Sequence, residues 1–118
     1  MDKYPIPVEV CPTSNVMTIE LATSFSGNLI EGMKCHPRLK HWLETGYLIS
    51  VSTDDSGVFH TDSTKELLLM AMAYNLDKES LKEMVLQSMD NAFCDNATKM
   101  SMKKMIRRRF DLLSLGAC

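Results

Sequence analysis

Residues 36–53 read His-Pro-Arg-Leu-Lys-His-Trp-Leu-Glu-Thr-Gly-Tyr-Leu-Ile-Ser-Val-Ser-Thr, and this stretch decides the fold. Pro37 suits the first position of a helix, Leu39, Trp42 and Leu43 share one side of it, and Gly46 fits its stop. Tyr47 to Thr53 then reads as a strand, with Leu48, Ile49 and Val51 suited to a buried parallel pairing. Upstream, Pro5 to Cys11 (Pro-Ile-Pro-Val-Glu-Val-Cys) is a second short strand: Val8 and Val10 alternate around Glu9, and the prolines are confined to its start. Cys11 to Asn15 should break that strand as a turn, because Pro12 cannot donate to a ladder and Ser14 and Asn15 favour local turns. Gly27, Asn28 and Gly32 punctuate a loop or short helical turns up to Cys35. Strand, helix and strand with short connections make a βαβ unit with parallel strands.

The rest of the chain is helical. Asp62-Ser63-Thr64 caps a helix running through Leu67, Leu68, Leu69, Met70 and Met72 to Tyr74. Asn75-Leu76-Asp77 restarts a helix carrying Leu81, Met84, Val85, Met89 and Ala92. Asp95 to Thr98 is a further break, followed by a last helix from Met100 to about Leu115. A βαβ unit followed by three helices places the chain in the α/β class.

At 118 residues this is a single domain, too short for a complete (β/α)8 barrel, which needs about 250 residues. Hydrophobic residues at 45% and charged residues at 24% are an ordinary globular balance. A net charge of -2 gives no general pull towards nucleic acid or an anionic membrane. The four cysteines, Cys11, Cys35, Cys94 and Cys118, form no Cys-x-x-Cys pair and signal neither a zinc knuckle nor a disulfide scaffold. No apolar run reaches the roughly 18–20 residues of a membrane span, and Met1-Asp2-Lys3-Tyr4-Pro5 does not resemble the start of a signal peptide. The expectation is a reduced, soluble, cytoplasmic protein with neither nucleic acid nor membrane as partner.

Chemistry concentrates in Ser52-Thr53-Asp54-Asp55-Ser56-Gly57. Two adjacent acids sit just beyond the C-terminal end of a parallel strand, where α/β folds place their ligands. Adjacent carboxylates are easier to keep charged beside a cation or a ligand donor, so one could hold a metal while the other faces a ligand. On spacing alone a solvated turn is the better reading, because Asp-Asp-Ser-Gly is a common turn composition.

The wider pattern narrows this. Val8-Glu9-Val10-Cys11-Pro12-Thr13-Ser14-Asn15, then His36-Pro37, Gly46-Tyr47 and Ser50-Val51-Ser52-Thr53-Asp54-Asp55 follow one another in an order that resembles the C-terminal part of the adenosine deaminase family, including its branch acting on N6-substituted AMP. Ser88, Asn91 and Phe93 resemble the family's late Ser-x-x-Asn-x-Phe pattern. The resemblance is strongest over residues 7–93. Two positions depart from it: Ser56 stands where the family often has proline, and Glu66-Leu67 where it has Glu-Tyr.

The resemblance implies a (β/α)8 barrel with zinc at its C-terminal mouth, of which this chain, residues 1–118, would be one partial domain: an incomplete barrel fragment with the last two parallel strands, their helices and a helical C-terminal half. In such enzymes zinc activates a water that replaces the C6 amine of adenosine, or of N6-methyl-AMP, giving inosine or IMP. Asp54 matches the family's zinc-ligating aspartate, and Asp55 the neighbour that hydrogen-bonds purine N7. Ser14 and Asn15 would shape the rim. The family's His-x-His pair, its His-Ala-Gly-Glu segment with the proton-shuttling glutamate and its later Gly-His are not in this sequence. None of the three histidines, His36, His41 and His60, matches a family zinc ligand. Because a catalytic zinc takes three protein ligands, the expectation is a deaminase fragment inactive by itself, which a complementing N-terminal deaminase segment could complete. Its isolated strands would expose apolar surface that the missing βα units should cover, risking aggregation or oligomerisation. The alternative is a non-catalytic helical interaction module or a pseudoenzyme remnant.

Other features read as structural. Lys103 to Arg109 (Lys-Lys-Met-Ile-Arg-Arg-Arg) is a basic helix face favoured by the macrodipole. Met70, Met72, Met84, Met89, Met100, Met102 and Met105 read as adaptable core packing. Cys35, His36 and His41 fit no standard metal spacing, and Asn96-Ala97-Thr98 is a glycosylation sequon without a secretory route.

Overall fold

The computed structural model describes residues 5–19 and 27–116. Cys118 and Met1-Asp2-Lys3-Tyr4 therefore lie outside the described residues. The chain orders as β1 (Val8–Val10), α1 (Pro12–Thr18), α2 (Leu29–Lys34), α3 (Leu39–Thr45), β2 (Ile49–Val51), α4 (Ser56–Phe59), α5 (Ser63–Tyr74), α6 (Lys78–Asp90) and α7 (Asn96–Leu115). β1 and β2 pair in parallel, with Val8 opposite Ile49, Glu9 opposite Ser50 and Val10 opposite Val51. Val8 N–H to the Leu48 carbonyl and Ser52 N–H to the Val10 carbonyl, both at 2.9 Å, close the ladder at its two ends. Both strands are shorter than the sequence suggests, and Pro5 and Pro7, which lack an N–H, explain why pairing starts at Val8.

The core joins this sheet to α1, α2, α3, α5 and α6 through Val10, Val16, Met33, Leu39, Ile49, Leu69, Met70, Ala73 and Met84. Leu69, Met70 and Ala73 recur at the helical i, i+1, i+4 spacing, which turns one side of α5 onto α1 and α2. Tyr74 at the end of that face donates its hydroxyl to the Met33 carbonyl of α2 at 2.6 Å. Burial, reinforced by Cys35, pushes this phenol up to about 12, so it stays a donor. α6 packs on β2 and on α7.

Capping residues fix most boundaries. Asn28, Asp62, Asp77 and Asp95 each accept backbone N–H bonds at a helix start. Asp95 moves the start of α7 to Asn96, earlier than the hydrophobic pattern indicates. At the other ends Gly46 and Asn75 take the left-handed conformation, with φ of 64° and 52°. α3 starts at Leu39 rather than Pro37, because His36 Nδ1 accepts the Leu39 N–H at 3.2 Å and holds the entry.

Two further expectations are corrected. Cys11 to Asn15 is not a turn: Pro12 begins α1, where a missing N–H costs nothing. The methionines divide, with Met70 and Met84 in the core and Met72, Met100, Met102 and Met105 exposed. No helix among the described residues is long and apolar enough to cross a membrane.

Candidate functional site

The two strands end side by side, and the residues leaving their C-terminal ends build the site. From β1 come Cys11 to Asn15, in which each residue has its own task. Pro12 occupies the first helical position of α1. Asn15 Oδ1 accepts the Cys11 N–H at 3.2 Å and so ties the start of the helix to the strand end. Ser14, buried, donates its hydroxyl to Asp54 Oδ2 at 2.8 Å, across a separation of 40 residues.

From β2 come Asp54 and Asp55. Asp54 has φ 56°, a left-handed conformation that aspartate tolerates better than bulkier residues but that still costs about 1 kcal/mol. That strain is held at the point where the Ser14 bond captures the side chain. Asp55 is extended, and its Oδ1 accepts the Val58 N–H at 3.0 Å as the cap of α4. The pair is thus fixed in two different ways, Asp54 by a distant hydroxyl and Asp55 by the helix it starts. Both are exposed.

Cys11 carries a thiol pushed up by burial, with the carboxylates of Glu9, Asp54 and Glu66 adding to the shift and the Asp54 backbone N–H partly offsetting it. A thiol raised in this way makes a poor nucleophile and a poor metal ligand. His60 ends α4 in the left-handed conformation, while His36 lies before α3 and His41 on it. Among the described residues no group of three or more His, Cys, Asp or Glu is placed to hold a metal.

The sequence pattern names Glu66 but assigns it no role. Glu66 is fully buried on α5, its Oε2 accepting the Thr13 N–H at 2.9 Å and its Oε1 the Thr13 hydroxyl at 2.6 Å. Thr61, from the loop after α4, donates its hydroxyl to the same Oε1. A signal existed: Glu66 shares the i, i+3, i+4, i+7 stripe of Leu69, Met70 and Ala73. Asn91, one of the late pattern residues, donates to the Ser50 hydroxyl at 2.9 Å and fastens the end of α6 to β2. Ser88 bonds only its own helix, and Phe93 is exposed.

The sequence pattern of the family described as Adenosine deaminase matches residues 1–109. The chain belongs to the adenosine deaminase family. An adenosine deaminase of Shewanella pealeana is 33% identical over 101 residues, covering 86% of this chain and 28% of the relative. The N6-Methyl-AMP deaminase of Danio rerio is 31% identical over 102 residues, covering 86% of this chain and 26% of that protein. An aminodeoxyfutalosine deaminase of Streptomyces avermitilis is 31% identical over 97 residues, 82% of this chain and 24% of its own length. The chain thus spans about a quarter of the length of these family members.

Among solved structures, arabidopsis ADAL complexed with IMP aligns with a TM-score of 0.69 at 24% identity, covering 96% of this chain and 29% of that one. The likeness concerns the fold: two parallel strands with their helices make part of the family's barrel, not a whole one.

Proposed function

We propose that this chain forms one wall of a purine deaminase pocket, in which water replaces the C6 amine and adenosine becomes inosine plus ammonia, or N6-substituted AMP becomes IMP plus an amine. The observation that carries this reading is the Ser14 to Asp54 bond at the C-terminal ends of adjacent parallel strands, with Asp55 beside it. Relatives named adenosine deaminase and N6-Methyl-AMP deaminase support the substrate class.

Asp54 suits one position in a zinc site. Its Oδ2 is steadied by Ser14, as ligating carboxylates usually are, and no donor among the described residues occupies its other oxygen. Zinc, when bound, supplies a Lewis acid that makes water a nucleophile near neutral pH. Ser14 then sets the rotamer of the ligand. Asp55, with Oδ1 engaged by α4, would use Oδ2 for a hydrogen bond to purine N7, in which one proton is shared between two atoms that are otherwise both acceptors. The other ligands and the proton-shuttling glutamate must come from another segment, and the chain alone is inactive.

The test pairs the 118-residue chain with the Shewanella pealeana enzyme shortened to lack the matched segment, measuring ammonia release from adenosine and amine release from N6-methyl-AMP. Turnover by the mixture but by neither part, lost with Asp54→Ala, is the expected result. Turnover by the chain alone that survives Asp54→Ala overturns the reading, and no turnover by any mixture favours a non-catalytic module.

A further inference from the structure

Two features of α7 have no role in the fold. Lys99, Lys103, Lys104, Arg107, Arg108 and Arg109 belong to a 20-residue helix whose last turn holds no basic residue. The macrodipole acts within the last turn and so does not account for them, contrary to the expectation from sequence. The methionines of α7 do not fill the core either: Met105 is 63% exposed and Met102 is exposed beside it. Six of the chain's 13 cations lie on α7 against one of its 15 acids, Asp111. In a chain of net charge -2, α7 therefore stands at +5 and the other residues at -7.

Lys99, Lys103, Ile106 and Phe110 are half-buried at spacings of four, three and four, which marks the side that α7 turns to α6. Lys103 and Asp111 use their charges there, on Asp90 and Lys82. None of the ion pairs among the described residues includes Lys104, Arg107, Arg108 or Arg109. Round the helix from the α6 side, Met102, Met105 and Leu112, at i, i+3 and i+10, share an exposed stripe about 80° wide. Lys104 and Arg108 border the stripe on the side away from α6, and Arg109 falls within it.

Charge and shape together select the occupant. Guanidinium groups grip carboxylates in bidentate pairs, and a helical stripe of Met and Leu fills an apolar groove. A second α7 would set +5 against +5. A helix lying on an anionic bilayer needs an apolar face clear of charge, and Arg109 interrupts this one. A nucleic acid would engage the cations and leave the stripe in water. We propose that α7 is a docking helix: its Met102, Met105 and Leu112 stripe enters an apolar groove on an acidic protein, while Arg108 and Arg109 pair with carboxylates at the rim. The Asp54 site plays no part in this contact.

The probe is calmodulin, an acidic protein whose methionine-rich groove opens with Ca2+ and closes without it, titrated calorimetrically against the 118-residue chain. Binding that requires Ca2+ is expected. Met105→Ser with Leu112→Ser should weaken it at least about 10-fold, the factor one buried Met or Leu side chain accounts for. Arg108→Glu with Arg109→Glu should weaken it about as much, and more at low salt than at high. Arg38→Glu with Lys40→Glu, the same charge change on exposed residues at α3, should leave it unchanged. All six positions are exposed, so the thermal midpoint should move little in any variant. Calmodulin bound equally well without Ca2+ would mean attraction by charge alone and overturns the groove. Affinity unchanged in both α7 double variants overturns the proposal, as does no binding at all. Binding to phosphatidylserine vesicles but not to calmodulin would make α7 a membrane-surface helix and overturns it too.

Discussion

The strand-end corner and the C-terminal helical pair are built on opposite plans. At the corner, polar groups are buried and find partners 40–53 residues away: Ser14 with Asp54, and Thr13 with Glu66. In α6 and α7 most polar contacts lie at the surface, with Asp77 and Asp95 each capping its own helix three residues on. Longer contacts there run from lysines and tie α6 to α7, as where Lys78 donates to the Phe110 carbonyl at 3.2 Å, Lys103 pairs with Asp90 and Lys82 meets Asp111 at 3.6 Å. Local bonds hold helices together one at a time. Long-range bonds hold the relative position of segments, which is what a site assembled from two strand ends requires.

The change expected to break this contrast most forcefully is Asp54→Ala in the complemented enzyme. Its loss of turnover should exceed 100-fold, because on the proposed reading it removes a metal ligand rather than a group that supports one, whereas Ser14→Ala should cost roughly 10–100-fold. Equal losses from the two would mean that the Ser14 hydroxyl itself meets the substrate or the water.

Next in size is Glu66→Ala in the isolated chain. It leaves the Thr13 N–H and hydroxyl buried without an acceptor, each worth about 1–3 kcal/mol, and a destabilisation of about 3 kcal/mol is expected in urea unfolding. Asp62→Ala, removing an exposed cap of the same helix, should cost only about 1 kcal/mol. If the two variants unfold at the same urea concentration, the distinction between buried long-range and exposed local bonds has no energetic content. Tyr74→Phe, which removes the bond from α5 to the Met33 carbonyl of α2, should fall near the smaller value, at about 1 kcal/mol.

These examples also mark what the sequence discloses. Parallel strands at Val8–Val10 and Ile49–Val51, the stop at Gly46 and the caps at Asp62 and Asp77 are local signals, and the structure follows them. The Asp pair could be singled out as a site because its position after a strand is also a local fact. The Glu66 network could not. In sequence, a glutamate in the first turn of a helix is the commonest sign of an exposed charge that favours the helix dipole, and only its stripe with Leu69, Met70 and Ala73 argues otherwise. Cys11 to Asn15 was unreadable for the same reason. Ser14 and Asn15 favour turns by bonding nearby backbone, and Ser14 gives its hydroxyl to Asp54 instead.

The smallest effect expected is on pH dependence, and it sharpens the contrast by separating two windows. Burial holds the His36 imidazole below its usual 6.5, and its Nδ1 accepts the Leu39 N–H, which only the unprotonated nitrogen can do. The unfolded chain therefore takes up the proton more readily than the folded one. His36 contributes stability that is fully present above about pH 6.5 and is lost as the pH falls through its lower folded value. Asp77 and Asp95 are held below the usual 3.8 by hydrogen bonds, to the Ser80 backbone and side chain and to the Thr98 side chain and backbone respectively. Their contribution is present above about pH 4 and fades only in stronger acid. Midpoints recorded from pH 7.5 down to 3 should accordingly decline in two steps. His36→Asn should remove the upper step alone, because a side-chain amide oxygen can accept the same N–H without titrating. A decline that begins below pH 4 in both proteins would mean that α3 is capped as well by the imidazolium as by the imidazole, contrary to the geometry at its start.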